Sequence, residues 1–276
     1  MKSKLASTFA GIALLATAAH AASTAYNFGS LGAAADGVNA DAVTLNVPGA
    51  LAVPGDLAIG YSGGSRTVVP YNSSLNPASA APFTIEFWAN PSGSDGDDVA
   101  LGNRTSASPR GGWAFFQRAG AVGWNLRMYN GSGTATGVDI TGGTSTIGAW
   151  SHVVGVWDGT NATLFVNGVD TSATGTNGAG YRPNDPGITL SIGSHDLASG
   201  SSPYEGLVDE TAFYGSALTP AQIAAHYSAA SNTTPDFYQS LVQTDGALLY
   251  INNVPEPTSL SLLALSLVGL IRRKRS

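Results

Sequence analysis

With 276 residues, 18 acidic against 12 basic side chains and no cysteine, the chain excludes a disulfide-held scaffold and a basic nucleic-acid-binding surface. Six of the twelve cations stand at the two ends (Lys2, Lys4, Arg272, Arg273, Lys274 and Arg275), so residues 22–254 carry six arginines against 17 acids, a balance of −11. Such a surface repels nucleic acid and anionic lipid and attracts divalent cations, and its ~230 residues suffice for one hydrophobic core.

The amino terminus reads as an export signal. Lys2 and Lys4 precede the apolar run Phe9 to Ala19, and Ala19-His20-Ala21 supplies a small-x-small cleavage pattern, so residues 1–21 are expected to be removed. From Ala25 to Thr67 the text is Gly- and Ala-rich, and Asp36, Asp41 and Asp56 read as solvated turn residues. Phe83 to Ala89, FTIEFWA, is the next strand. Its alternation sends Phe83, Ile85 and Phe87 to the core and Thr84, Glu86 and Trp88 to the other face, where Trp88 is a candidate ligand contact. Asp95-Gly96-Asp97-Asp98 follows in a loop. Clustered carboxylates are the oxygen ligands Ca²⁺ takes, which makes Asp95 and Asp97 candidates, although no distal Glu completes a known calcium-loop pattern.

Gly112–Gln117 and Val122–Tyr129 pair as a hairpin across Arg118–Ala121. The second strand alternates Val122, Trp124, Leu126 and Met128 against Gly123, Asn125, Arg127 and Tyr129, as an antiparallel sheet with one wet side requires. Asn125, Arg127 and Tyr129 are the candidate sugar-facing set. Trp150 to Thr171, WSHVVGVWDGTNATLFVNGVDT, reads as strand, turn, strand, tight turn, strand. Its Asn167-Gly168 pair signals a type I′ turn, which needs φ > 0 at both central residues. Ile188 to Gly193 is a further strand. Thr219, Pro220 and Gln222 form a capping-box start for a short helix that ends near Tyr227 and packs Ile223 on the sandwich edge. Residues 231–253 read as a linker or the truncated start of a repeat.

Trp150-Ser-His, Asn167-Gly168, Leu190-Ser-Ile-Gly193, Gly206-Leu-Val-Asp-Glu210 and Ala217-Leu-Thr-Pro-Ala-Gln-Ile223, with FTIEFW before them, resemble the LamG-like jelly rolls of the concanavalin A-like lectin/glucanase superfamily. The resemblance runs from Tyr26 to Ala230. It implies an all-β fold, a jelly-roll β-sandwich of two antiparallel sheets with 12 to 14 strands, over a domain of residues 22–230. At the other end Val254-Pro255-Glu256-Pro257, the apolar run Leu260 to Ile271 and four consecutive cations resemble the PEP-CTERM sorting signal of Gram-negative bacteria, over residues 254–276. The run is shorter than the about 20 residues of a full span. The cations after it would stay cytoplasmic and leave the domain on the far side of the inner membrane. The resemblance implies that an exosortase-type enzyme recognises Pro255, Glu256 and Pro257, cuts near them, and releases or re-anchors the protein at the cell surface.

Glycosidases of that superfamily set catalytic carboxylates close together on one strand face. The acids available here are Glu205, Asp209 and Glu210. In a regular strand Glu205 and Asp209 lie about 13 Å apart, against about 5 Å for retaining and at most about 9.5 Å for inverting hydrolysis. His152, His195 and His226 show no zinc-type grouping, and there is neither a cysteine nor a Gly-x-Ser-x-Gly nucleophile. No catalytic residue is therefore expected. The expected function is a non-catalytic surface module that binds carbohydrate or an extracellular protein; the alternatives are a structural matrix protein and a divergent polysaccharide-cleaving enzyme. Many relatives hold a Ca²⁺ that ties an early segment to the last strand. The resemblance places Asp209 and Glu210 on the matching strand, where alternation would let only one of them ligate.

Overall fold

Large apolar side chains at every second position build two faces that must bury each other, and the chain folds accordingly into two antiparallel sheets. The structure, a computed structural model, describes residues 23–252 apart from 94, 105–106, 173–174, 179 and 196–202. The expected export signal and the carboxy-terminal sorting motif lie outside the described residues. With strands numbered in chain order, one sheet runs in space as β1 (Thr24–Ala25), β2 (Gly37–Ala40), β5 (Arg66–Val69), β15 (Leu190–Ile192), β7 (Asp98–Gly102), β8 (Trp113–Gln117), β9 (Trp124–Tyr129), β10 (Thr136–Gly142) and β14 (Gly175–Thr176). The other runs β13 (Val169–Asp170), β12 (Ala162–Val166), β11 (Ser151–Trp157), β6 (Phe83–Pro91), β16 (Gly206–Tyr214), β4 (Leu57–Tyr61) and β3 (Thr44–Pro48), and β17 (Ala247–Ile251) also pairs with β16. Three of these strands, β1, β13 and β14, have only two residues, which is why the described strands outnumber the 12 to 14 expected.

Phe83, Ile85 and Phe87 of β6 bury against Phe115, Trp124, Leu126 and Met128 of the facing sheet, as the alternation requires. Phe87 meets Phe115 edge-on at 5.1 Å and Trp124 at 5.9 Å, a favoured aromatic geometry. Gly155 of β11 permits this closeness, since a Cβ there would lie 2.5 Å from Phe115 Cζ. The tight turn between β12 and β13 has φ of 53° at Asn167 and 76° at Gly168, as a type I′ turn demands.

Helix α1 (Pro220–Ala229) starts with the expected capping box, Thr219 with Gln222. It covers the outer face of the second sheet and not its edge: Ile223 is buried with Val154 and Val156 of β11 and Ala212 and Tyr214 of β16. The linker reading of residues 231–253 also fails. Helix α2 (Phe237–Thr244) buries Tyr238 and Val242 in that same outer cluster, and β17 pairs Thr211–Tyr214 of β16. These residues complete the domain, because the alternating run ALLYI supplies a strand that β16 would otherwise lack. No helix of the described residues is long and apolar enough to cross a membrane.

Candidate functional site

One side of β16 changes partner half-way. Gly206–Val208 pair with Tyr61–Ile59 of β4, whereas Thr211–Tyr214 pair with β17, so Asp209 and Glu210 fall in the gap between two neighbours. On the other side Asp209 pairs with Trp88 of β6 and the next register pair is Ala212 with Glu86, which leaves an extra residue in β16. That is a β-bulge, and Glu210 takes φ of 50° within it. Strict alternation therefore breaks at this point. The two carboxylates expected on opposite faces converge instead, and Asp56, at the end of the turn between β3 and β4, joins them. Ligand oxygens of Asp56, Asp209 and Glu210 all lie within 4.8 Å of one another.

Backbone donors fix two of the three. Asp209 Oδ2 accepts from Ala50 N–H at 2.8 Å and Oδ1 from Glu210 N–H at 2.9 Å, while Asp56 Oδ2 accepts from Leu51 N–H at 2.7 Å. The Tyr250 hydroxyl donates to Glu210 Oε2. Glu210 Oε1 is buried and has no partner. A Cβ on Gly49 would collide with Asp56 Oδ2 and Asp209 Oδ2, so only glycine lets the turn close over the acids. Burial, then the charge of Asp56, pushes Asp209 well above the carboxylate range; burial, then Asp209, does the same to Glu210. Burial also raises Asp56, although N–H donors oppose it. Among the described residues no Arg or His pairs with any of the three. Ca²⁺–oxygen bonds of 2.3–2.6 Å put two ligands of one ion at most about 4.6–5.2 Å apart, so the donor set fits a single hard cation. The cluster borders a pocket of about 170 Å³ that Phe237, Tyr238, Tyr250 and Asn252 also line.

A second acidic centre lies beneath the helices. Glu86 is fully buried, and its Oε1 accepts from His152 Nε2 at 3.0 Å and Tyr238 OH at 2.7 Å. Oε2 accepts from Tyr214 OH at 3.0 Å and His226 Nδ1 at 2.8 Å, and His226 Nε2 lies 2.8 Å from Asp245 Oδ2. Burial alone would raise Glu86, but the hydrogen bonds and charges of His152 and His226 outweigh it and hold the group far below its ordinary value. Burial would lower His226, but Glu86 and Asp245 together raise it. Four donors occupy the carboxylate, so it fastens α1 and α2 to the sheet and faces no open site.

A family model described as the concanavalin A-like lectin/glucanases superfamily matches residues 57–224. The chain belongs to this superfamily. A second family model, the PEP-CTERM protein-sorting motif, matches residues 253–275. Among solved structures, the binding domain of botulinum neurotoxin DC in complex with SialylT is 13% identical, with 76% of this chain and 52% of that one covered at a TM-score of 0.51. Trypanosoma rangeli sialidase in complex with sialic acid is 14% identical, with 72% and 30% covered at a TM-score of 0.51. The likeness is one of fold, and this chain spans only 30–52% of the length of those chains. No curated protein sequence matches.

In this lectin/glucanase-type sandwich the residues expected from sequence go to three places. Trp88 is 5% exposed, donates its Nε1–H to Tyr238 OH at 3.0 Å, and stacks on Tyr227 at 5.8 Å. With Trp150 and Tyr227 it lines a shallow groove of about 580 Å³ that reaches Ala50 and Leu51 beside the carboxylates. Asn125 is withdrawn from any ligand surface: it is buried, and its amide N–H groups reach Asp139, the Ile140 carbonyl and Thr141. Arg127 pairs with Asp97 at 3.3 Å and Asp139 at 3.6 Å, and Tyr129 is 2% exposed beneath two other arginines. Asp97 is held by Arg118 and Arg127, Asp95 is exposed, and neither joins the carboxylate cluster. Glu205 lies against the Gly93 loop, away from Asp209. Sequence reasoning missed Asp56, whose only signal was a turn position, and the Glu86 centre, whose histidines lie 66 and 140 residues away along the chain.

Proposed function

We propose that the protein is an exported, surface-sorted module without catalytic activity that holds Ca²⁺ at Asp56, Asp209 and Glu210 and takes carbohydrate, or an extracellular protein, on the surface beside them. The observation that carries this reading is Glu210 Oε1, buried without a partner in a cluster of three carboxyls that no cationic side chain among the described residues offsets. A buried anion left in that state is costly, and a proton or a cation must relieve it. Calcium would neutralise the cluster and tie the Gly49–Asp56 turn to β16. The groove of Trp88, Trp150 and Tyr227 supports a sugar ligand, being mostly apolar with polar groups at its border. The sorting motif supports export, with an exosortase-type enzyme as processing partner and a membrane-anchored precursor.

One observation favours a second reading, a divergent polysaccharide-cleaving enzyme: carboxyl oxygens within 4.8 Å resemble the about 5 Å spacing of retaining hydrolysis. Against it, Asp209 and Glu210 are only 4% and 1% exposed, and the three acids converge on one point with no space between them for a sugar ring. Calcium titration by calorimetry, followed by a glycan screen with Ca²⁺ and with chelator, tests the proposal. Calcium uptake with glycan binding is expected. No uptake removes the metal, uptake without any ligand favours a structural matrix protein, and release of reducing sugar that Glu210→Gln abolishes favours the enzyme.

A further inference from the structure

Of the six arginines in residues 22–254, three gather on the outward side of the nine-stranded sheet. Their guanidinium groups alternate with two rings. Arg110 lies 5.7 Å from the Tyr129 centroid, Arg104 lies 5.6 Å from Tyr129 and 5.6 Å from Phe116, and Arg127 lies 4.4 Å from Phe116. Asp97 and Asp139 meet the charge of Arg127. Arg104 has no such partner: it is 7% exposed, forms no ion pair among the described residues, and its Nε is buried without a hydrogen bond.

Cation–π contacts contribute about 0.5–2 kcal/mol each, yet they leave the N–H donors of a guanidinium unused, and a buried unpaired cation is costly. Burial, together with the positive charges of Arg110 and Arg127, pushes Arg104 below its ordinary value. In a domain this acidic a carboxylate for Arg104 would be easy to supply from within, and none of the described residues supplies one. We propose that Arg104, flanked by Tyr129 and Phe116 and seconded by Arg110, is a binding site for a carboxylate group of an acidic polysaccharide. The planar guanidinium fork matches a carboxylate with two parallel hydrogen bonds, and the stretches 107–109 and 132–135, which adjoin Arg110 and Tyr129 in the chain or by a backbone hydrogen bond, are exposed. The ligand class rests on the carbohydrate-binding reading; the site rests on its own residues.

The test uses polygalacturonate, dextran sulfate and neutral dextran as probes, with chelator present so that calcium plays no part. Binding of polygalacturonate that weakens with salt is expected, with a loss of at least about tenfold in Arg104→Met, which keeps the stem between the rings, and a smaller recovery in Arg104→Lys. Protection of Arg104 in the unmutated protein from a dicarbonyl reagent, read by mass spectrometry, gives the same answer without a variant. Unchanged binding in Arg104→Met with no protection overturns the site while sugar binding stands. A preference for dextran sulfate overturns the carboxylate. Binding of dextran alone overturns the inference but leaves the carbohydrate reading intact, whereas no binding of any glycan, here or in the calcium-loaded screen, sinks both.

Discussion

Glu86→Gln is the sharpest perturbation of the packing between the helices and the sheet. The amide keeps the shape of the side chain, but whichever side its NH₂ takes, it turns a donor toward groups that themselves donate: His152 and Tyr238 on one side, Tyr214 and His226 on the other. It also removes the anion that faces His226. Breaking one partner of a buried pair costs about 3–5 kcal/mol, a large share of the 5–15 kcal/mol typical of a whole domain. At about 2–4 °C per kcal/mol for a domain of this size, the melting temperature should fall by about 6–20 °C. The pH dependence follows from the directions of the two shifts. Glu86 is held below its ordinary 4.5, so its contribution is present above that value and is lost as pH falls through the folded one. His226 is raised above 6.5, so its contribution is complete below 6.5 and is lost as pH rises through the folded value. The difference between the two proteins should therefore be largest between about pH 5 and 6.5 and shrink in alkali. Thermal denaturation of both across this range is the assay, and a difference under about 1 kcal/mol, or one that does not vary with pH, refutes the clamp.

Without a cation, the raised carboxyls of Asp56, Asp209 and Glu210 favour the folded protein most below their ordinary values and progressively less as pH rises through the folded ones. Stabilisation by Ca²⁺ should therefore grow from pH 5 to pH 8, reaching about 2.7 kcal/mol at 100 times the dissociation constant; equal melting shifts at the two pH values count against the site. Gly49→Ala would force the turn off Asp56 and Asp209 and should weaken calcium binding at least about tenfold in calorimetry, the price of 1.4 kcal/mol or more. Unaltered affinity would show that the turn does not shape the site. Intact-mass measurement of protein from its native host should find Leu260–Ser276 missing, and their retention in secreted protein would exclude processing at the sorting motif.

Most of the sandwich was legible because it rests on local signals. Alternation in FTIEFWA, the Asn167-Gly168 turn and the Thr219 capping box each identify a structure within a few residues, and each appears where expected. What was not legible depended on distance. Residues 231–252 carry turn-type composition around two short elements, and only the free upper half of β16 makes the run ALLYI a strand. Trp88 and Glu86 sit on the non-core face of β6, as alternation requires, but no local pattern reveals that α1 and α2 will cover that face.

The carboxylate cluster shows why counting along a strand misplaced its acids. Alternation assumes one continuous neighbour on each side, and β16 has two on one side, β4 and then β17. The ladder on the other side accommodates the change with an extra residue, and that residue brings Asp209 and Glu210 together. The strand that sequence reading took for part of a linker or the start of a repeat is thus also what creates the bulge's surroundings, since Tyr250 of β17 is the partner of Glu210. Tyr238 of α2 donates to Glu86 and lines the pocket beside Glu210, so one short helix borders both buried acidic centres. A cation bound at Glu210 would offset a negative charge that also acts on Tyr238, the same hydroxyl that donates to Glu86.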